Sequence, residues 1–210
     1  MSVIDKLACS LGRRDEVPNQ ELAQQLAETE DRQEIAEIAE NLWNKKAAVQ
    51  ADCIKVLYEI GYLKPELVAP YAADFLKLLK SRNNRLVWGA MIALSSVAVQ
   101  AADELYPQVA SIQKAMDAGS VITCDAGVWA LANIASAKAE YNSTIFPYLL
   151  EHLRTCRPKD VPQHAERVAA AVNVENRAAF IQVIEKRMED MAASQVTRLK
   201  RLIKQAEKKR

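Results

Sequence analysis

The sequence predicts an all-α chain, a right-handed α-α superhelix built from about five stacked helical hairpins. Three observations carry this. The segments DCIKVLYEIG (52–61), GAMIALSSVA (89–98), AGVWALANIA (126–135) and QHAERVAAAV (163–172) align without a gap at a constant offset of 37 residues. In each, apolar residues recur at helical spacing, and no segment of the chain alternates convincingly with period two. Only 5 of the 210 residues are Gly, too few for a hairpin-rich β fold. With 50% hydrophobic residues and mixed charge, the chain is also not a disordered one.

The offset of 37 defines three columns. Leu57, Leu94, Leu131 and Val168 share the first, and Ile60, Val97, Ile134 and Ala171 the second. The third holds Cys53, Ala90, Gly127 and His164. It is small in its first three members, which lets neighbouring helices approach closely, and His164 marks the fourth unit as degenerate.

Taken in order, residues 1–44 form an irregular acidic first unit with helices at about 19–28 and 32–43. In the second of these, Ile35, Ile38, Ala39 and Leu42 supply the buried side and the acids a solvated face. Residues 45–173 hold the regular repeats, each a helix A, a polar turn and a helix B. Helix A carries a proline at Pro70, Pro107 or Pro147, and recurrence at one place predicts a built-in bend. The turns Lys80–Asn84, Asp117–Ser120 and Arg157–Asp160 offer Asn, Ser and Asp as N-caps. Residues 174–210 supply two capping helices, at about 176–191 and 194–208, with a basic tail. Val196, Leu199, Leu202 and Ile203 form the docked face of the last one. The whole is read as a single domain, 1–210.

The pattern L-x-P, an apolar helix, a polar turn and a helix ending A-x-x-x-L-x-x-I-A resembles the HEAT repeat, or its armadillo relative, over about residues 45–173. One departure is that the position where the family often places Arg, early in helix B, holds Val87 and Cys124. The resemblance implies an α-solenoid. Similar solenoids serve as scaffolds, transport receptors and phosphatase subunits, and in one branch as DNA alkylation-repair enzymes.

Helix B is where partner recognition is expected. At 100° per residue the stripe Leu86, Ala90, Ala93, Leu94, Val97 faces inward to the core. The opposite face is Arg85, Trp88, Ile92, Ser95 and Val99. Shifted by 37, it becomes Lys55, Tyr58 and Tyr62 in one direction, and Ile122, Asp125, Trp129 and Ala132 in the other. In solenoids this face lines the concave side. Two readings stand: a second buried core seam, or a groove for a protein or peptide partner. In the groove Tyr58, Tyr62, Trp88 and Trp129 are the anchors, Ile92 adds apolar surface, and Lys55, Arg85 and Asp125 orient the ligand.

Catalytic signals are thin: there is no Gly-rich phosphate loop, no H-E-x-x-H and no G-x-S-x-G. No catalytic residue, cofactor or metal is expected. His152 and Cys156, four apart, could face a metal with His164 or Glu151 nearby, but the spacing is unlike the tight ligand pairs of structural zinc, so His152 is read as an ordinary surface residue. The alternative function is nucleic-acid binding or alkylation repair of the HEAT type. That branch places Asp four residues after a concave Trp, where Trp43, Trp88 and Trp129 here have Ala47, Ile92 and Asn133. The middle of the chain is also near-neutral, unlike a duplex-binding surface.

The charge sits at the ends. Residues 1–44 hold four basic and ten acidic side chains, and residues 198–210 hold seven basic and one acidic. These ends offer self-association, head to tail. No apolar run approaches a membrane span, and the start MSVIDKLACSLGRRDE is too polar for a signal peptide. Four cysteines without a C-x-x-C pair are expected as reduced thiols, and the location as cytoplasmic.

Overall fold

The computed structural model describes residues 2–189 and 191–209. Among these residues there are helices and connections but no strand. Tertiary contacts divide the chain into two compact units, Met1–Ala130 and Leu131–Arg210. The first carries thirteen basic and eighteen acidic residues, and the second fifteen and nine.

The first unit opens with a 3-10 turn, Val3–Lys6, followed by α1 (Val17–Thr29) and α2 (Arg32–Glu40). Asp31 caps α2 by accepting from the backbone N–H groups of Gln33 and Glu34. Ile35, Ile38, Ala39 and Leu42 are buried, as the acidic stretch required. Next come α3 (Ala47–Leu63), α4 (Ala72–Leu78), α5 (Asn84–Val97), α6 (Ala102–Leu105), α7 (Val109–Ala118) and the start of α8 (Val121–Ala137). The turns cap two of these as expected. Asn83 Oδ1 accepts from the Arg85 N–H at 3.0 Å, and Ser120 Oγ from the Thr123 N–H at 3.3 Å.

The repeat columns form the core. Leu57, Leu94, Leu131 and Val168 are all 0% exposed, and Ile60, Val97, Ile134 and Ala171 at most 1%. Each buried Leu or Ile adds about 2–3 kcal/mol of transfer free energy. The small column allows the expected close approach. A Cβ at Gly127 would lie 2.7 Å from Met116 Cγ on α7. Another glycine does the same between α3 and α5, where a Cβ at Gly89 would lie 2.9 Å from Ile54 Cγ1.

The prolines differ from expectation. Pro70 lies in a 3-10 turn, Ala69–Tyr71, directly before α4, and Pro107 in another, Tyr106–Gln108, directly before α7. Proline lacks the N–H that an interior helical position needs, so at these two places the helix starts after it. Of these three, Pro147 alone lies in the interior of an α-helix, α9 (Ala139–Thr155).

The second unit continues from α8 through α9, α10 (Val161–Val168), α11 (Arg177–Arg187) and α12 (Ala193–Glu207). Asp160 does not cap α10; its carboxylate accepts from Arg157 Nε at 2.6 Å. Arg187 crosses to the end of α9 and donates to the carbonyls of Arg154 and Cys156 at 2.6 and 2.7 Å, a favourable place for a cation. Buried Asn142 donates to Ala171 O at 2.7 Å and accepts from Asn176 at 2.9 Å. The basic tail is docked: Leu199, Leu202 and Ile203 are buried, and Val196 is half-buried. Arg198 pairs with Glu166, Lys209 donates to the carbonyls of Ala169 and Val172, and Arg177 donates to Lys209 O at 2.8 Å.

Candidate functional site

Helices α3, α5 and the first turns of α8 bring the expected aromatic residues together within the first unit. Tyr58 and Tyr62 are four apart on α3, hence on one face, and their rings meet edge to face with centroids 6.0 Å apart. Tyr58 also meets Trp88 of α5 at 6.3 Å, and Tyr62 stacks on Trp129 of α8 at 6.1 Å with an interplanar angle of 18°. The result is an unbroken ladder, Trp88–Tyr58–Tyr62–Trp129. Two cations rest on it: Lys55 Nζ lies 4.9 Å from the Tyr58 ring centre, and the Arg85 guanidinium 6.0 Å from that of Trp88. Ile92 and Asp125 sit one helical turn from Trp88 and Trp129 on the same helices.

Exposure across this face is layered. Lys55 and Tyr58 are buried, Trp88, Ile92, Asp125 and Trp129 are half-buried, and Arg85 is exposed. Tyr62 keeps 48% of its surface in solvent, and Ile122 and Val99 are exposed nearby in sequence on α8 and after α5. Two neighbours assigned to this face differ: Ser95 and Ala132 are fully buried. The Ser95 hydroxyl donates to Ile92 O of its own helix at 2.7 Å, so burying it leaves no unmet donor.

An acidic residue completes the site. Glu16, at the start of α1, places Oε2 2.9 Å from Lys55 Nζ and Oε1 3.2 Å from Arg85 Nη2. Lys55 also donates to Glu59 Oε1 at 2.6 Å. Burial alone would pull the Lys55 ammonium toward neutrality, but Glu59, Glu16 and Tyr58 together outweigh it and hold its pKa above the usual lysine value. Burial pushes the Tyr58 phenol up, against the opposing pull of Lys55. Nothing in the repeat pattern pointed to Glu16. It lies outside the repeats, 69 positions from Arg85.

The histidines behave otherwise than expected. His152 is half-buried rather than a plain surface residue, and its Nε2 lies 2.9 Å from Nδ1 of buried His164, so one imidazole donates to the other. The Cys156 thiol is directed to Leu153 O at 3.9 Å. Some acids near the N-terminus are paired within the first unit, as in Lys6–Glu34, Lys64–Glu30 and Arg13–Asp15. Among the described residues, no helix is long and apolar enough to cross a membrane.

No protein-family model and no curated protein sequence matches the chain. Solved structures do. An engineered protein is similar over 99% of this chain and 97% of its own, with 19% identity and a TM-score of 0.66. A designed armadillo repeat protein in complex with the peptide (KR)4 is similar over 89% and 86%, with 16% identity and a TM-score of 0.68. The karyopherin Kap121p bound to the SUMO protease Ulp1p is similar over 95% of this chain but 22% of its own, with 17% identity and a TM-score of 0.62. The fold is therefore that of a HEAT/armadillo-like helical repeat protein.

Proposed function

We propose that the chain is a non-catalytic adaptor or scaffold that binds a protein or peptide partner on the aromatic face of α3, α5 and α8. Tyr62, Trp88 and Trp129 are its anchors, with Ile92 widening the apolar patch. Tyr58 and Lys55 form the floor beneath them, and Arg85 and Asp125 orient the ligand. The observation that carries this reading is the continuous ring ladder with one edge left in solvent. An aromatic ladder closed on all sides would be ordinary core, whereas one with Tyr62 at 48% exposure keeps area for a partner to cover. Two of the similar structures hold a peptide or a protein partner, which is in keeping with a binding role on this fold.

The test is Trp129→Ala. Helical content and a cooperative melt are expected to persist, while capture of peptides from a displayed library is lost. Collapse of the fold would assign Trp129 to the core instead. Self-association, exposed Lys200, Arg201 and Lys204 against exposed Glu21 and Glu40 of a second copy, is a further reading of the partner. A solution mass that does not change between low and high salt would remove it.

A further inference from the structure

Glu16 uses both carboxylate oxygens on this face, one on Lys55 and one on Arg85, and each of those cations is backed by an aromatic ring. This is a built receptor for a carboxylate: two cationic donors, each seated on a ring of the aromatic ladder. We propose that Glu16 occupies it in cis, as a stand-in for an acidic side chain of the partner, so that the partner is a peptide presenting Asp or Glu next to an apolar residue. The inference rests on the peptide-binding reading above and names the chemistry of its ligand.

Three features make Glu16 an exchangeable occupant rather than a fixed strut. Its side chain is 43% exposed. It stands at the N-cap of α1 yet makes no side-chain capping bond, so swinging it away costs the helix no cap. The residues before it, Leu11 to Asp15, are all exposed, so no buried side chain of that segment has to move with it. Of the two receiving cations, Lys55 is less free. The Lys55 side chain is only 7% exposed and rests on Tyr58, and losing its second carboxylate without replacement would leave a half-met buried charge. A partner carboxylate supplies that replacement. A basic peptide does not, because Glu16 and Glu59 are already committed to Lys55 and Arg85.

The experiment uses the full chain and its Glu16→Gln variant as baits for a random displayed-peptide library, followed by affinity measurements on the selected peptides. Peptides selected on the wild-type chain should be enriched in Asp or Glu beside an apolar residue. Glu16→Gln, which removes the internal competitor without changing side-chain size, should bind them about tenfold more tightly at low salt, a gain that shrinks as salt is raised. Arg85→Gln, at an exposed position, should weaken the same peptides by about tenfold. Melting of each variant is followed to confirm the fold. Selected peptides lacking acids or rich in Lys and Arg, or equal affinity for wild type and Glu16→Gln, overturn this inference and leave peptide binding intact. No selection on either bait overturns both.

Discussion

Tyr62→Ala tests the ladder at the one ring with a large exposed share, and its cost can be worked from the structure. A tyrosine buries about 200 Å² when fully covered. With 48% of its surface in solvent, Tyr62 buries about half of that, which at about 25 cal/mol per Å² is about 2.5 kcal/mol. Losing the edge contact to Tyr58 and the stack on Trp129 adds about 1 kcal/mol. The substitution should therefore cost about 3.5 kcal/mol, and Tyr62→Phe, which keeps both ring contacts, less than about 1 kcal/mol. All three tryptophans, Trp43, Trp88 and Trp129, lie in the first unit, so intrinsic fluorescence during urea unfolding reports on that unit alone. At a slope of about 2 kcal/mol per M, the fluorescence midpoint should fall by about 1.8 M for Tyr62→Ala. The exposed half of the ring is what a partner would cover, another 2.5 kcal/mol or about 60-fold in affinity for a selected peptide. A midpoint within about 0.3 M of wild type would mean the stack on Trp129 does not hold in solution. A loss of affinity below about threefold would remove Tyr62 from the anchors.

Other expectations follow from packing and charge. Gly89→Ala gains about 1 kcal/mol of helix propensity but drives a methyl into stiff, buried Ile54, so stability should fall by about 1 kcal/mol. Gly127→Ala meets the flexible thioether chain of Met116 and should be the more stable of the two in the same urea titration. In the second unit, the hydrogen bond from Arg198 holds the Glu166 carboxyl below its ordinary value of 4.5. That stabilisation is complete above the ordinary value and is lost as pH falls through the lower folded one, so Arg198→Gln should flatten the acid limb of stability below about pH 5, read by circular dichroism. Burial, reinforced by nearby Asp52, pushes the Cys53 thiol far up. Thiol reagents at neutral pH should label it only when the first unit unfolds, and rapid labelling of the folded protein, read by peptide mass spectrometry, would contradict its place in the core.

What the sequence carried best was whatever repeats. Leu57, Leu94 and Leu131 announce the core because identical surroundings at each step of the stack demand identical side chains. Tyr58, Tyr62, Trp88 and Trp129 group together on the strength of the sequence alone, since one offset maps each helix face onto the next. The prolines mislead because recurrence says only that a position is special. Pro70 and Pro107 are special as helix starts, Pro147 as an interior residue, and the three look alike in one dimension. Ser95 is misplaced for a related reason: a wheel treats its hydroxyl as solvent-seeking, while the helix's own carbonyl at Ile92 satisfies it in the dark. Glu16 is invisible, because a contact made once, by a segment outside the repeats, leaves no periodic trace. The His152–His164 pair escapes in the same way, since the last repeat is the one that departs from its column.

The uneven division of charge between the two units has a consequence at the bench. With a formal net charge of +1 the chain should pass through either kind of ion-exchange resin near neutral pH. Instead a lobe with five surplus acids and another with six surplus bases give each resin its own handle. Both should therefore retain it, each by a different lobe, and moderate salt should release it from either.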